Sequence, residues 1–352
     1  MKNENKQRID KLAKEHSLSL QEYEALLTDG DSETAAYLTE KAMQVKQEWY
    51  GDTVFIRGLI EISNICKNDC YYCGIRKSNA KCQRYRLTKQ QILDCCKTGY
   101  EIGFRTFVLQ GGEDAYFNDE RLADIVSRIK SSFPDCAITL SMGERSFASY
   151  RKLKLAGADR YLLRHETSDE EHYRQLHPAE MSREERLKCL DHLRELGYQV
   201  GCGFMVGSPY QTDAMLAAEL KFIETFHPEM CGIGPFIPHK DTPFGDRSAG
   251  SADMTCRLLS LIRLISPGIL LPATTALGTL EKDGRLRGIQ AGANVVMPNL
   301  SPYEVRDKYM LYDNKLHAGA ESAQELEKLK ADLATIQSRV VVSRGDALRE
   351  KQ

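Results

Sequence analysis

The sequence lacks the features that would direct a chain to a membrane, to secretion or to nucleic acid. No stretch approaches 18 consecutive apolar residues, and the first residues contain no apolar signal core. Lysine and arginine together number 48 against 50 aspartate and glutamate residues, so the net charge of −2 leaves no basic footprint for nucleic acid. These absences predict a cytoplasmic protein that binds neither a membrane nor nucleic acid.

Cysteine, by contrast, is abundant, since the 352 residues include eleven. Their odd number and irregular spacing do not form the pattern of a secreted disulfide framework. Cys66, Cys70 and Cys73 have the spacing C-x₃-C-x₂-C within "NICKNDCYYCGIR". A structural zinc site normally takes four protein ligands and an ordinary iron–sulfur cluster takes four thiolates, so this triplet leaves one position open. Unrelated buried thiols, a zinc site completed by a distant histidine, and an iron–sulfur cluster with one open iron all fit the spacing.

Apolar and polar segments alternate in a way that predicts a barrel behind a helical extension. The first 50 or so residues have helical periodicity, and Ser19 followed by Glu22 is a capping-box pattern. The strand candidates are 54–63, 106–112, 137–144, 160–167, 199–207, 230–238, 269–278 and 293–301, with helical segments between them. We therefore expect an α/β fold: a complete (β/α)₈ TIM-type barrel with a C-terminal helical tail over 51–352, after a helical extension over 1–50. An incomplete barrel is the alternative.

Polar and glycine-rich residues follow the predicted strands at the end where such barrels carry their active sites. The cysteine triplet follows the first strand, and "LQGGED" ends the second. In the fourth strand, alternation puts Arg160, Arg164 and Glu166 on one face. If that face is the inner one, two arginines there require carboxylates or an anionic ligand, and Glu61 is a candidate partner.

The triplet, with Tyr72 before its last cysteine and "GGE" at 111–113, resembles the signature of radical S-adenosylmethionine (SAM) enzymes. The resemblance implies that three thiolates hold a [4Fe–4S] cluster whose open iron binds SAM. One electron from the cluster then cleaves SAM into methionine and a 5′-deoxyadenosyl radical. Within this superfamily, "YLLRHET", "GIGPFIPHKDTP", "PATTALGT" and "GANVVMPN" are similar, in their order, to the HydE family of [FeFe]-hydrogenase maturases.

That resemblance assigns expected roles to individual residues. The cluster ligands would be Cys66, Cys70 and Cys73, and SAM would be surrounded by Tyr72, Gly111, Gly112, Glu113, Ser141, Glu166 and Arg186. The substrate cavity would be lined by Arg160, Arg164, Thr274, Thr275, Met297, Tyr309 and Tyr312. The HydE family also implies a small iron–carbonyl–cyanide–cysteine precursor as substrate, a reductant protein, and the partner maturases and scaffold of hydrogenase assembly.

One departure and several alternatives accompany this interpretation. Residues 314–329 contain no cysteine where some HydE members carry ligands of an auxiliary cluster, so we expect a single cluster. Methylornithine synthase and biotin synthase are relatives with similar chemistry, although biotin synthase needs further barrel cysteines that Cys136 and Cys202 do not complete. A non-catalytic iron–sulfur or zinc scaffold is the alternative from a different class.

Overall fold

The computed structural model describes residues 3–316 and 323–349, and over these ranges helices alternate with parallel strands. The helices are α1 Asn3–Glu15, α2 Leu20–Leu27, α3 Ser32–Tyr50, α4 Lys89–Glu101, α5 Asp119–Ser132, α6 Phe147–Leu155, α7 Glu170–Leu176, α8 Arg183–Glu195, α9 Asp213–Phe226, α10 Ala252–Ile265, α11 Thr275–Leu280, α12 Gly284–Gln290, α13 Tyr303–Arg306 and α14 Leu326–Ala334. The strands are β1 Thr53–Ile56, β2 Gly58–Ser63, β3 Thr106–Gly111, β4 Ala137–Ser141, β5 Arg160–Leu162, β6 Gln199–Cys202, β7 Met205–Val206, β8 Met230–Cys231, β9 Gly234–Pro235, β10 Val295–Val296 and β11 Arg339–Val341.

A six-stranded parallel sheet in the order β2-β3-β4-β5-β6-β8 forms the centre of the molecule. Every residue of β2 is buried, as expected for a parallel strand that is covered on both faces. Side chains such as Phe107 and Leu109 pack into the core between the sheet and its helices, and each such burial contributes roughly 1.5–3 kcal/mol. The predicted α/β alternation is confirmed.

Two smaller groups of strands extend this sheet. Strand β1 pairs in parallel with β10 on one side and with β11 on the other, and β7 pairs with β9. Single bridges join Leu59 to Asn299, Met230 to Leu270 and Pro272 to Val295.

The predicted strand over 269–278 is wrong in its second half, and its first half pairs through two parallel bridges without forming a regular strand. Only Leu270 and Pro272 form bridges there, and helix α11 begins at Thr275. Proline has no N–H to donate to a strand ladder, so Pro272 interrupts regular pairing. Thr274 then takes an extended backbone conformation as the N-cap of α11. The expected helical tail is also only half right, because α14 is followed by strand β11.

The three N-terminal helices lie as the sequence predicts and pack on the helices around the sheet. Ser19 and Glu22 form the expected reciprocal capping box at the start of α2. Helix α2 packs on α9 and α3 packs on α10. The Tyr23 hydroxyl donates a hydrogen bond to Glu224 Oε2 at 2.8 Å, which ties the extension to α9.

Residues 339–349, which we call the C-terminal segment, cover the end of the sheet where the strands begin. The carbonyl oxygens of Arg344 and Gly345 accept hydrogen bonds from Arg160 at 2.8 and 3.1 Å. Leu348 donates its backbone N–H to Gly268 O at 3.3 Å. This end of the sheet is therefore packed with protein.

Two further expectations concern the number of clusters and membrane insertion. Residues 317–322, within the cysteine-free stretch behind the single-cluster expectation, lie outside the described residues. Over the ranges that are described, none of the helices combines the length and the apolar character needed to cross a bilayer.

Candidate functional site

A cavity of about 340 Å³ lies at the carboxyl ends of the strands. It is bordered by the turns that follow β2 to β5 and by residues after β9 and near β10. Sixteen of the predicted site residues line it: Cys66, Cys70, Tyr72, Cys73, Gly111, Gly112, Glu113, Ser141, Arg164, Glu166, Arg186, Thr274, Thr275, Met297, Tyr309 and Tyr312. The remaining predicted residue, Arg160, lies elsewhere. The fold therefore brings together residues that are up to about 250 positions apart in the sequence.

The three cysteines lie on a loop that backbone contacts hold in shape. Tyr71 donates its N–H to Leu176 O at 3.0 Å, and Gly74 donates to Leu311 O at 2.8 Å. The guanidinium of Arg84 donates to the carbonyl oxygens of Asn64 and Ile75 at 2.6 and 2.7 Å. The protein's own hydrogen bonds therefore fix this loop to several other elements.

Burial raises the pKa of all three thiols, to about 12 for Cys70. A thiol binds metal as the thiolate, so a metal bound at these cysteines would release their protons and compensate for the cost of burying them. Among residues 3–316 and 323–349, no three His, Cys, Asp or Glu side chains are arranged to hold a single metal ion. Three cysteine sulfurs that border one cavity are nonetheless the donor set that an iron–sulfur cluster takes.

The glycine turn after β3 lies directly against the cysteine loop. A Cβ on Gly112 would come within 2.3 Å of Ile65 O and 2.8 Å of Cys66 Cβ, so only glycine fits. Glu113 donates its backbone N–H to Cys66 Sγ at 3.4 Å. Its carboxylate accepts the Glu144 N–H at 3.1 Å and pairs with Lys67 at the same distance. Glu113 therefore joins the cysteine loop to the turn after β4.

Tyr72 is held by a histidine that the sequence analysis missed. The Tyr72 hydroxyl lies 3.1 Å from His177 Nε2, and His177 Nδ1 lies 2.9 Å from Tyr173 O. Since a carbonyl only accepts, His177 carries its proton on Nδ1 and accepts the Tyr72 hydroxyl proton at Nε2. Burial lowers the pKa of His177 to about 3, so the ring stays neutral. No motif in "QLHP" points to this contact, which depends on α7 ending beside the loop.

Charged side chains cross the cavity between β4, β5 and α8. Arg186 forms an ion pair with Glu144 and donates to Arg164 O at 3.0 Å. Arg164 Nη2 lies 3.3 Å from Glu166 Oε2, but the two groups are not aligned for a hydrogen bond. Arg164 Nε and Nη2, Glu166 Oε2 and Thr274 Oγ1 are all buried without a hydrogen-bond partner. Such unsatisfied groups are costly, so these atoms are suited to a polar ligand.

Glu61 does not pair with the arginines as expected. It is fully buried, and its Oε1 lies 2.5 Å from the Nζ of Lys315, while Oε2 accepts from Asn299 Nδ2 at 2.9 Å. The expectation was wrong because the true partner, Lys315, lies 254 residues away in the sequence, and no local sequence pattern predicts that contact.

Arg160 does not line the cavity, so its predicted place is wrong. It lies at the start of β5, which ends at Leu162, four residues before Arg164 and therefore up to about 13 Å away along the chain. There it forms an ion pair with Asp346 at 2.5 Å and donates to Thr106 Oγ1 at 3.0 Å. The C-terminal segment takes the place that we expected a ligand to have.

The sequence is similar to a known superfamily and to individual proteins of known function. A sequence model of the Radical SAM superfamily matches residues 60–223. The [FeFe] hydrogenase maturase subunit HydE from Thermotoga maritima is 44% identical over 279 residues, which are 79% of each chain. A 3-methylornithine synthase from Methanosarcina acetivorans is 28% identical over 94% of this chain and 91% of that protein.

Solved structures give the same picture of the fold. The crystal structure of methylornithine synthase (PylB) matches with a TM-score of 0.82 at 27% identity, covering 95% of this chain and 97% of that chain. HydG, a maturase of the [FeFe]-hydrogenase, matches with a TM-score of 0.82 at 21% identity, covering 97% and 77%. At that identity the likeness to HydG concerns the fold alone.

Proposed function

The chain belongs to the radical SAM superfamily as an enzyme close to HydE, and on this basis we propose that it cleaves SAM reductively during assembly of the [FeFe]-hydrogenase diiron subcluster. Cys66, Cys70 and Cys73 would hold a single [4Fe–4S] cluster with one iron left for SAM. When bound, the cluster and SAM supply an electron and a 5′-deoxyadenosyl radical. The observation that best supports this proposal is that the three cysteines, which lie on one loop, border the same cavity as the residues expected to bind SAM.

The protein's own residues would bind and orient SAM. The backbone at Gly111 and Gly112 can approach closely because neither residue has a side chain. Ser141, Glu166 and Arg186 border the same cavity, and Glu166 Oε2 is an acceptor that has no hydrogen-bond partner. Tyr72, oriented by His177, would contact SAM from the cysteine loop. Glu113 would act through Cys66 and Glu144 more than by direct contact.

The substrate would be a small anionic complex, in line with the iron–carbonyl–cyanide–cysteine precursor that the HydE resemblance implies. Arg164 supports this proposal because two of its buried nitrogens have no hydrogen-bond partner. Thr274 adds an unpartnered hydroxyl on the same cavity. Thr275, Met297, Tyr309 and Tyr312 would complete the wall. A reductant protein and the partner maturases and scaffold of hydrogenase assembly would be the macromolecular partners, in the cytoplasm.

We also propose that the strands close into a complete (β/α)₈ barrel over 51–352, with 1–50 as a separate helical extension. Bridges from Met230 to Leu270, from Pro272 to Val295 and from Leu59 to Asn299 support this closure, because together they connect β8 with β10 and β2. A closed barrel would enclose the substrate and keep water from the radical.

The first experiment is made on anaerobically reconstituted protein. We expect a [4Fe–4S] EPR signal after reduction that changes when SAM is added, together with production of 5′-deoxyadenosine. Cys70→Ser should lose both, while Cys189→Ser, at a buried cysteine outside the cavity, should keep both. Undiminished 5′-deoxyadenosine from Cys70→Ser would contradict the cluster assignment. A protein that holds zinc only, or a cluster that ignores SAM, would instead support a scaffold.

Methylornithine synthase activity is the second candidate function, because a 3-methylornithine synthase sequence and the PylB structure each match nearly the whole of this chain. An assay for 3-methylornithine, run beside a hydrogenase maturation assay, separates the two functions. Activity only in the maturation assay supports the HydE-like function, and 3-methylornithine as product would replace it.

A further inference from the structure

We propose that Glu219 and His165, which lie behind the cavity, are positioning residues that hold Glu166 in place for SAM. Neither side chain lines the cavity, and both are completely buried. The inference rests on the proposed SAM site, since Glu166 is one of its expected residues.

Glu166 has an unusual backbone conformation. Its φ of +67° lies in the left-handed region, which residues other than glycine seldom adopt and which costs of the order of 1–3 kcal/mol. Its backbone N–H donates to Gly203 O at 3.0 Å, and it forms a single bridge with Phe204. Such a conformation persists only where neighbouring contacts enforce it.

Glu219 supplies those contacts from helix α9. One carboxylate oxygen, Oε1, accepts the backbone N–H of Ser168 at 2.5 Å. The other, Oε2, lies 2.7 Å from His165 Nε2. The single carboxylate therefore holds both ends of the turn 165–168, with Glu166 between them.

His165 uses its two nitrogens in opposite ways. Nδ1 accepts the backbone N–H of Gly203 at 3.3 Å, so the proton is on Nε2 and is donated to Glu219. The imidazole is packed against Phe222, with ring centroids 4.4 Å apart, and cannot easily turn. Gly203 thus contacts two neighbouring residues of the turn. Its N–H donates to His165, and its carbonyl oxygen accepts the Glu166 N–H.

Glu219→Gln is an informative substitution, because glutamine has nearly the same size as glutamate and changes only the hydrogen bonding. A glutamine can accept from Ser168 only if its amide NH₂ faces the Nε2–H of His165, which places two donors together. Moving the histidine proton to Nδ1 would relieve that conflict but would place a donor against the Gly203 N–H. One of the three hydrogen bonds must therefore be lost.

The matched control is Glu224→Gln, on the same helix. Glu224 accepts hydrogen bonds from Ser17 at 2.7 Å and Tyr23 at 2.8 Å, so the control also loses folded-state contacts, but far from the turn. A comparison of the two variants separates a general loss of stability from a specific effect on Glu166.

Two measurements test the proposal. In the cluster-free protein, hydrogen exchange at residues 166–168 and 203 should become faster in Glu219→Gln and stay unchanged in Glu224→Gln. In reconstituted protein, the Kd for SAM should rise roughly tenfold in Glu219→Gln, because a smaller fraction of molecules has the turn in its binding conformation. The kcat for SAM cleavage at saturating SAM and the iron content should remain near wild type.

The outcomes separate this inference from the proposed function. If wild type binds SAM and Glu219→Gln binds it equally well, or if both variants weaken binding in step with their loss of Tm, the positioning role is overturned. If wild type does not bind SAM, the proposed function fails, and the exchange measurement still decides whether Glu219 holds the turn. Should Glu219→Gln not fold, fast exchange of the Ser168 amide in wild type would itself overturn the proposal.

Discussion

Arg160, which is fully buried, and Arg164, which is partly buried, show what guanidinium nitrogens require when they leave water. Arg160 donates to Thr106, Gln199 and two backbone carbonyls and also pairs with Asp346. Arg164 has Glu166 nearby but keeps two nitrogens without a hydrogen bond. A buried donor without an acceptor destabilises the protein, so Arg164 has the most to gain from an anionic ligand.

Arg164→Leu should therefore separate SAM chemistry from substrate turnover. We expect normal iron content and SAM cleavage, with maturation lowered about tenfold to a hundredfold, since hydrogen bonds to a charged group contribute about 1.5–3 kcal/mol. Arg105→Leu is the control, because Arg105 packs against Tyr100 and Asp135 and does not line the cavity. Maturation by Arg164→Leu at the level of this control would give Arg164 a structural role only.

At this scale the sequence predicts which residues belong to the site better than where each one lies. Strand alternation over 160–167 was an overextended expectation, because β5 ends at Leu162 and Glu166 has a left-handed backbone. It could not place Arg160 beside the C-terminal segment, because Asp346 lies 186 residues later. Lys315 and His177 were missed for the same reason: their partners are distant in sequence, and neither residue belongs to a recognisable motif.

At the scale of elements, the C-terminal segment is the part of the fold most dependent on charge. Burial acts to raise the pKa of Asp346, but Arg160 and the Gln199 amide outweigh it and lower the pKa to about 2. A carboxyl group with a lowered pKa stabilises the folded state above its unfolded value near 4 and loses that contribution as the pH falls. Since Asp346 is partly exposed, solvent reduces the contribution to about 1 kcal/mol.

Asp346→Asn should accordingly lower the free energy of unfolding by about 1 kcal/mol at pH 7. The difference from wild type should shrink by about half at pH 3, where the unfolded carboxyl is already protonated. Urea unfolding at the two pH values measures this. Asp332→Asn, on α14 with no ion pair to Arg160, is the control, and a deficit that does not change with pH would contradict the charge interpretation.

Helices were predicted well because caps and periodicity are local signals, as at Ser19 and Glu22. Strands were predicted less well where pairing is only a bridge. The segment around Pro272 is apolar and reads as a strand, yet proline leaves its ladder incomplete. Strand β11 could not be predicted, because its "RVV" is short and exists through pairing with β1.

For the whole molecule, folding and cofactor binding should be linked. The cavity contains buried thiols and polar atoms without a hydrogen-bond partner, which a cluster, SAM and the substrate would satisfy. A ligand that binds only the folded state stabilises it by about 2.7 kcal/mol at a hundred times its Kd. The α/β architecture that creates the cavity could be predicted from the alternation of strand and helix segments, but the pairing of its charged side chains could not.

SAM should consequently raise the Tm of the reconstituted protein by about 4 °C at a hundredfold excess over Kd. The reconstituted Cys70→Ser variant should show no such shift, because the proposed SAM site needs the open iron. Differential scanning fluorimetry under anaerobic conditions measures both. An equal shift in the two proteins would mean that SAM binds without the cluster.

The pairing of β1 with β11 also has a consequence for how the protein is made. Arg339 of β11 pairs with Asp52 beside β1, 287 residues earlier. At about 5–20 residues per second, a ribosome needs roughly 15 to 60 s to synthesise that interval. For most of this time β1 has no partner on either edge, because β10 at Val295–Val296 is also still to be made, while the cysteine loop that follows β2 has already emerged. The nascent chain thus exposes its cysteine loop well before the C-terminal segment can cover the end of the sheet where the strands begin.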